Sequence, residues 1–242
     1  MPVKLEVSSP EQPVVMYQRW EELLFLHWSV LPKVIAKTLP PGLRVDTFNE
    51  RAWIGVVPFF MSGVRPRFLP ALPSVSFFQE LNLRTYVIDE HGRRGVWFYS
   101  LDTSHRLPVW IARTFFHLNY VHARMWATRS NDGVVDYFSV RNRQESPQRF
   151  QWRREGDVGA AEEGTLEYFL VERYRLYAYN YKRRHLLTGC VSHEPYQIQG
   201  AAVDAYSKEL FQLNGVEVPA SAPESVVASK GAQVRIHPLT VV

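Results

Sequence analysis

The feature that most constrains the fold is the alternation of side chains in "SFFQELNLRTYVI", residues 76–88. Apolar or small side chains at the odd positions 81–87 alternate with Glu80, Asn82, Arg84 and Tyr86. Successive side chains of a β-strand point to opposite faces, so this period of two predicts a strand with one apolar face and one polar face. The polar face carries a carboxylate, an amide, a guanidinium and a phenol.

The same period recurs along most of the chain. It predicts strands at 52–61, 95–101, 121–128, 134–141, 148–154, 174–179, 185–193, 196–203 and 234–239. Helices are predicted at 16–30, where apolar residues recur at helical spacing, in the short segment 32–39, and at 102–118, 164–173 and 205–215. Many strands, few helices and no strand–helix–strand rhythm predict a mainly β fold. We expect a large antiparallel sheet curled into a barrel or cone, with a few short helices and an N-terminal helical segment.

Prolines punctuate the polar first residues, so 1–15 is predicted to be a loose lead-in and 16–242 a single domain. Apolar residues make up 46% of the 242 residues and charged residues 21%, which excludes a disordered or fibrous chain. No window reaches the roughly 18 apolar residues of a membrane span. Cys190 is the single cysteine, so no internal disulfide can form. Without a signal-peptide pattern either, the cytoplasm is the predicted location.

Several familiar kinds of site are absent from the sequence. A net charge of +4 without a stacking motif does not predict a nucleic-acid partner. His193 and Glu194 lack the helix and second histidine of a zinc motif, and no nucleophile elbow surrounds Ser100, near Asp102 and His105. The sequence therefore predicts no metal and no cofactor.

The polar face of residues 76–88 has two interpretations. It meets water, as in many antiparallel sheets, or it lines the inside of a closed sheet, where Glu80 and Arg84 would need hydrogen-bonding partners. Four residues of extended strand separate the two by about 13 Å, so they cannot touch directly. They would instead bracket a cavity floor with Asn82 between them. That spacing fits a small polar ligand, with Arg84 holding an acid or carbonyl, or two separate structural anchors.

A resemblance adds to this interpretation. The phrases "LLFLHW", "LPPGLRVDTFNERAWIGVVPFFM", "FFQELNLRTYV", "GVWFYSLD", "ARTFFHLNY" and "SHEPYQIQGAAV", in this order, resemble the YqjF-like family of uncharacterised bacterial proteins. The resemblance covers residues 16–203. That family is similar in fold to acetoacetate decarboxylase, which implies a barrel-like or cone-like β fold around a closed apolar cavity. The resemblance implies no reaction.

The decarboxylase forms a Schiff base on a lysine within a Pro-Lys-Lys element. The element resembles Asn119, Tyr120 and Val121 here, so Tyr120 stands at the place of the nucleophile and cannot form an imine. None of the six lysines is predicted to lie on a pocket strand. The decarboxylase's aromatic-x-Glu element resembles residues 78–80, which makes Glu80 the first candidate for a pocket carboxylate.

The function therefore has three candidates. The chain is a small-molecule-binding protein, an enzyme of unidentified reaction, or a non-catalytic interaction protein, with a homo-oligomer left open. For the first two, a small organic acid or carbonyl compound is the expected ligand, and Glu80, Arg84, Tyr120, Asn82 and Tyr86 are the expected binding residues. In an enzyme, Glu80 would act as acid or base, and Tyr120 or Arg84 would stabilise developing negative charge. In an interaction protein, the sheet edges and the loop "RPRFLPALP" would form the contact surface.

Overall fold

The structure is a computed structural model that describes residues 12–72, 76–105, 117–142 and 144–242. Within these residues the chain forms thirteen strands and three short helices. The strands are β1 (Met16–Val30), β2 (Leu43–Val45), β3 (Ala52–Pro66), β4 (Phe78–Asp89), β5 (Arg94–Thr103), β6 (Tyr120–Arg129), β7 (Val135–Arg141), β8 (Gln148–Ala160), β9 (Arg175–Asn180), β10 (His185–Ser192), β11 (Gln197–Ala205), β12 (Ser225–Ile236) and β13 (Thr240–Val241). The helices are α1 (Pro32–Ala36), α2 (Leu166–Val171) and α3 (Glu209–Leu213).

All thirteen strands belong to one ring-like sheet, ordered β13-β10-β9-β5-β6-β7-β8-β11-β12-β1-β3-β4-β2. Two further pairings, β4 with β5 and β10 with β12, join the sheet to itself. The first pairing closes a circuit that runs from β5 through β6, β7, β8, β11, β12, β1 and β3 to β4. The second closes a circuit of β10, β9, β5, β4, β3, β1 and β12, which we call the seven-strand circuit. The two circuits share β12, β1, β3, β4 and β5, which we call the shared wall.

The shared wall is buried on both faces, and alternate residues of its strands enter different clusters. On β1, Leu24 and Leu26 belong to a packed core that includes Tyr137, Phe150 and Trp152 from β7 and β8. The intervening wall residues face the other circuit; they include Leu23, Phe25, Val57, Phe59 and Met61, which pack with Phe169 and Leu170 of α2. The circuit that contains β6–β8 is thus filled by side chains. The other circuit contains the cavity described below.

The sequence prediction for residues 16–30 is wrong. The segment is strand β1, paired with β12 from Met16↔Ile236 to His27↔Ser225 and with β3 on its other side. A strand buried on both faces is apolar at nearly every position, as in "LLFLHW", and periodicity cannot distinguish such a run from a buried helix. The N-terminal helical segment therefore shrinks to α1, which begins at Pro32.

The sheet is also mixed rather than purely antiparallel. Strand β5 pairs parallel with β6, through Leu101↔Tyr120, and with β9, through Val96↔Leu176. These pairings depend on long connections, which no local pattern reveals. Most of the predicted helix 102–118 lies outside the described residues, and its first two residues, Asp102 and Thr103, complete β5.

The other predicted strands are confirmed, although β3 and β8 are longer than expected and the predicted strand 234–239 overlaps only the last three residues of β12. Short helices lie within the predicted segments 32–39, 164–173 and 205–215, whereas β2 and β13 were not predicted. Helix α2 is capped by Thr165, whose hydroxyl accepts a hydrogen bond of 3.3 Å from the backbone N–H of Tyr168. Gly215 follows α3 in a left-handed conformation, as expected of a helix stop. Among the described residues, no helix combines the length and apolar character needed to cross a membrane.

Candidate ligand-binding cavity

A cavity of about 250 Å³ lies inside the seven-strand circuit, and every strand of that circuit contributes to its wall. Most of the wall is aliphatic and aromatic, with side chains such as Val57, Phe59 and Leu176. Glu80, Asn82 and Arg84 also line the cavity, because the even positions of β4 point into this circuit. Ligand sites in proteins share this composition, in which a few polar groups are placed in an apolar chamber.

The polar face of β4 is shielded from bulk water. Glu80 is 3% exposed, Asn82 4% and Arg84 9%, while the odd positions Leu81 and Leu83 are fully buried in the packed core. Strand β4 is therefore not half-solvated, because both of its neighbouring compartments belong to the protein interior.

Tyr120 holds the carboxyl group of Glu80. The first residue of β6 lies beside β5, and its hydroxyl donates a hydrogen bond of 2.9 Å to Oε2 of Glu80. The backbone carbonyl of Glu80 accepts a second bond of 2.9 Å from the hydroxyl of Tyr137. Burial raises the pKa of Glu80 from 4.5 to about 8, against the opposing hydrogen bonds from Tyr120 and Asn82. The carboxyl group is therefore mostly protonated at neutral pH.

Arg84 brings a positive charge to the same wall. Its Nη2 donates to the backbone carbonyl of Leu170 at 3.0 Å, and its guanidinium lies 5.3 Å from the ring centre of Phe25. Within the described part of the chain, no carboxylate forms an ion pair with it. Arg173, also on the cavity wall, instead pairs with the buried Asp46 at 2.7 Å. Arg175 lines the cavity as well but is only partly buried. Of the two buried arginines, Arg84 is thus the one without a carboxylate partner among the described residues.

Tyr86, the fifth predicted residue, does not line the cavity. Its hydroxyl donates to the carbonyl of Leu170 at 2.8 Å, so the contact of 2.6 Å with His27 requires Nε2 of the histidine to be the donor. His27 is fully buried, and burial, followed by the charge of Arg84, holds its pKa well below the usual value. Tyr86 and Arg84 therefore donate to the same carbonyl of Leu170, and of these two residues only Arg84 lines the cavity.

Sequence reasoning missed several polar residues of the cavity wall, among them Arg173 and Tyr196. Arg173 follows α2 within a segment predicted as helix, and Tyr196 stands just before β11. Both lie far along the chain from β4. The phrase "SHEPYQIQ" contains Tyr196, but nothing local in it shows that the ring reaches a cavity.

Lysines are absent from the described cavity wall. Lys33, Lys37, Lys182 and Lys230 are exposed, and Lys208 donates to three backbone carbonyls near residue 220. The first lysine of the chain lies outside the described residues. Among the residues that are described, histidine, cysteine, aspartate and glutamate form no cluster able to hold a metal ion.

Comparison with known proteins identifies the family. Residues 17–233 match the DUF2071 family of uncharacterised conserved proteins. The chain belongs to that family. It is also 38% identical over 218 residues to the uncharacterised protein YqjF of Bacillus subtilis (strain 168), a match that covers 90% of this chain and 88% of that protein. The resemblance to the YqjF-like family that the sequence phrases indicated is confirmed.

Solved structures confirm the acetoacetate decarboxylase-like fold. An acetoacetate decarboxylase-like enzyme from Sphingomonas wittichii RW1 matches with a TM-score of 0.66 and 13% identity, over 95% of this chain and 94% of that one. Acetoacetate decarboxylase from Legionella pneumophila matches with a TM-score of 0.66 and 11% identity, over 100% of this chain and 92% of that one. The enduracididine biosynthesis enzyme MppR in complex with pyruvate matches with a TM-score of 0.63 and 12% identity, over 97% of this chain and 93% of that one. Identities this low establish the fold alone.

Proposed function

We propose that this protein binds a small organic acid in the cavity inside the seven-strand circuit. The observation that carries the proposal is the charge of Arg84, which is buried on the cavity wall without a carboxylate partner among the described residues. An unpaired buried charge is costly, and an anionic ligand would supply the missing partner. The guanidinium has five N–H donors and uses one of them on Leu170, so donors remain for a carboxylate.

The size of the cavity sets the size of the ligand. A volume of about 250 Å³ lies just below the range of about 300–1,000 Å³ that is usual for drug-sized ligands. The apolar wall favours a short hydrocarbon chain behind the acid group. The pyruvate bound by the structural neighbour MppR is a small acid of this kind.

Glu80 and Tyr120 form a second polar region of the cavity wall. A protonated carboxyl group donates a hydrogen bond, so Glu80 can bind a carbonyl or hydroxyl oxygen of the ligand or pass it a proton. If the protein is an enzyme, Glu80 is the acid or base, and Tyr120 or Arg84 stabilises developing negative charge. An imine mechanism on a lysine is disfavoured, because no lysine lines the described cavity wall.

The test measures binding of straight-chain carboxylates from acetate to hexanoate, each with and without an oxo group and including pyruvate, by titration calorimetry. We expect at least one acid to bind the wild type, and Arg84→Met to weaken that binding at least ten-fold. Arg84→Lys keeps the charge and should retain part of the affinity. Arg44→Met, an exposed arginine on β2, is the matched control. Absence of binding across the series, or equal binding by Arg84→Met, would reject the proposal.

A second candidate function is a non-catalytic interaction protein. The loop after β3 exposes large apolar side chains, with Phe68 87% exposed, and Leu69, Leu72 and Phe77 each more than half exposed. Contiguous exposed apolar groups mark contact surfaces. Light scattering across a range of protein concentrations tests this function. Self-association that is abolished by Phe68→Ser and Leu69→Ser would support the contact surface. A monomer at all concentrations would reject the homo-oligomer.

A further inference from the structure

Tyr196 has a hydroxyl group that is not hydrogen-bonded to any residue the structure describes. The residue is 3% exposed and lines the cavity, yet its hydroxyl forms no hydrogen bond with any described residue. Buried tyrosine hydroxyls usually have a partner. The fully buried tyrosines follow this rule, because Tyr86, Tyr137 and Tyr177 each donate to a backbone carbonyl at 2.8–2.9 Å.

The ring of Tyr196 is held firmly in place. Its backbone N–H donates at 3.0 Å to Oε1 of the buried Glu172. One edge of the ring packs against Phe25, with centroids 5.6 Å apart, and the ring of His193 lies 4.5 Å away. The free hydroxyl is therefore not a sign of a loose side chain.

Tyr196 and Arg84 lie at the same end of the cavity. Both pack against Phe25, from which the guanidinium of Arg84 is 5.3 Å distant. Burial raises the pKa of Tyr196, and the nearby charge of Arg84 opposes that rise. The phenol therefore stays protonated and remains a hydrogen-bond donor throughout the physiological range.

We infer that the hydroxyl of Tyr196 is the second donor to the carboxylate that Arg84 binds, and that this pair fixes the orientation of the ligand. The inference rests on the proposed function. The carboxylate lies between Arg84 and Tyr196, and the hydrocarbon chain runs along β4 past Asn82. A neutral polar group of the ligand then reaches the protonated carboxyl of Glu80. The reverse orientation would leave the charge of Arg84 without a partner.

Four residues of strand, about 13 Å between backbones, separate the two ends, so an acid with several carbons is favoured over one as short as pyruvate. The site therefore suits a short-chain oxo or hydroxy acid that is longer than pyruvate. Pentanoate and 4-oxopentanoate form a matched pair of probes, because they share a carboxylate and a chain length and differ by the oxo group.

The experiment titrates both probes into wild type, Tyr196→Phe and Tyr177→Phe. Tyr177 is the control because it is buried, its hydroxyl is already bonded to the carbonyl of Arg93, and it lies outside the cavity wall. We expect Tyr196→Phe to lower the binding affinity for both probes equally, by about ten-fold or more, as expected for the loss of a hydrogen bond to a charged group. Tyr177→Phe should bind both probes as the wild type does.

Thermal denaturation without ligand separates a binding role from a structural one. Removing the unbonded hydroxyl of Tyr196 should leave the Tm of the free protein unchanged, whereas Tyr177→Phe should lower it. A lower Tm for free Tyr196→Phe would show that the hydroxyl serves the fold and would overturn the inference.

The binding data also distinguish this inference from the proposed function. Unchanged affinity in Tyr196→Phe, or a loss confined to 4-oxopentanoate, would overturn the inference while the acid site at Arg84 stands. Failure of every acid, these two included, to bind the wild type would reject both.

Discussion

Replacing Glu80 with glutamine removes a buried group that titrates inside the protein. The pKa of Glu80 is about 8 in the folded protein and 4.5 when the group is free in water, so the folded state holds its proton more tightly than the unfolded state does. Below pH 4.5 both states are protonated and stability is unaffected. As the pH rises from 4.5 to 8, the unfolded chain loses the proton first, and the free energy of unfolding falls.

The magnitude follows from the width of that interval. Each pH unit corresponds to about 1.4 kcal/mol, so the wild type should lose about 3 kcal/mol between pH 4.5 and 7 and about 4 kcal/mol by pH 8. Above pH 8 the loss levels off at a total of about 5 kcal/mol. Glutamine does not titrate and still accepts the hydrogen bond from Tyr120. Glu80→Gln should therefore lack this part of the decline and be the more stable protein at pH 8.

Urea denaturation at intervals from pH 5 to 9 measures the effect as the difference between the two unfolding free energies, which removes the groups that titrate in both proteins. Glu217→Gln, which changes an exposed glutamate, should follow the wild type at every pH. Parallel curves for wild type and Glu80→Gln would refute the reasoning, because they would mean that Glu80 ionises at the same pH in the folded and unfolded chains.

Two further predictions concern the fold around the site. Gly231→Ala should prevent stable folding, because φ is +137° there and a Cβ would lie 2.0 Å from the backbone oxygen of Trp20. The control is Gly159→Ala, where a Cβ would have no atom within 4 Å, so its Tm should stay within a few degrees of the wild-type value. Thermal denaturation compares the two variants. Asp46→Asn should lower the free energy of unfolding by about 3 kcal/mol or more in urea, because it leaves Arg173 buried without its carboxylate. Removing the charge of Arg173 as well should recover most of that loss, and a purely additive double variant would contradict the explanation.

Local pattern was enough to predict most of the sheet and part of the site. The alternation in β4 correctly separates Glu80, Asn82 and Arg84 from Leu81 and Leu83, because the period of two is a local property of extended backbone. The pattern cannot tell whether the polar face meets water. That depends on β9 and β10, which cover it from much later in the sequence.

The misassigned helix and the missed residues share one physical cause, which is contact between distant parts of the chain. β1 is apolar on both faces because it separates two compartments, so its pattern carries no period of two. Tyr196 reaches Phe25, and Arg84 reaches the carbonyl of Leu170 86 residues away, through packing that no spacing in the sequence encodes. Residues of this kind can be identified only from the folded structure, in which distant strands pair and close the two circuits.

The pairing of β1 with β12 also determines when the site can form during synthesis. Met16 is paired with Ile236, and Ile236 and His237 line the cavity together with Glu80 and Arg84. Both circuits therefore stay open during synthesis until β12 has emerged from the ribosome. Until then the apolar strands β1, β3 and β4 lack a full set of neighbours, and pairings between such distant parts of a chain form slowly. The cavity wall is complete only when β12 has paired with β1 and β10.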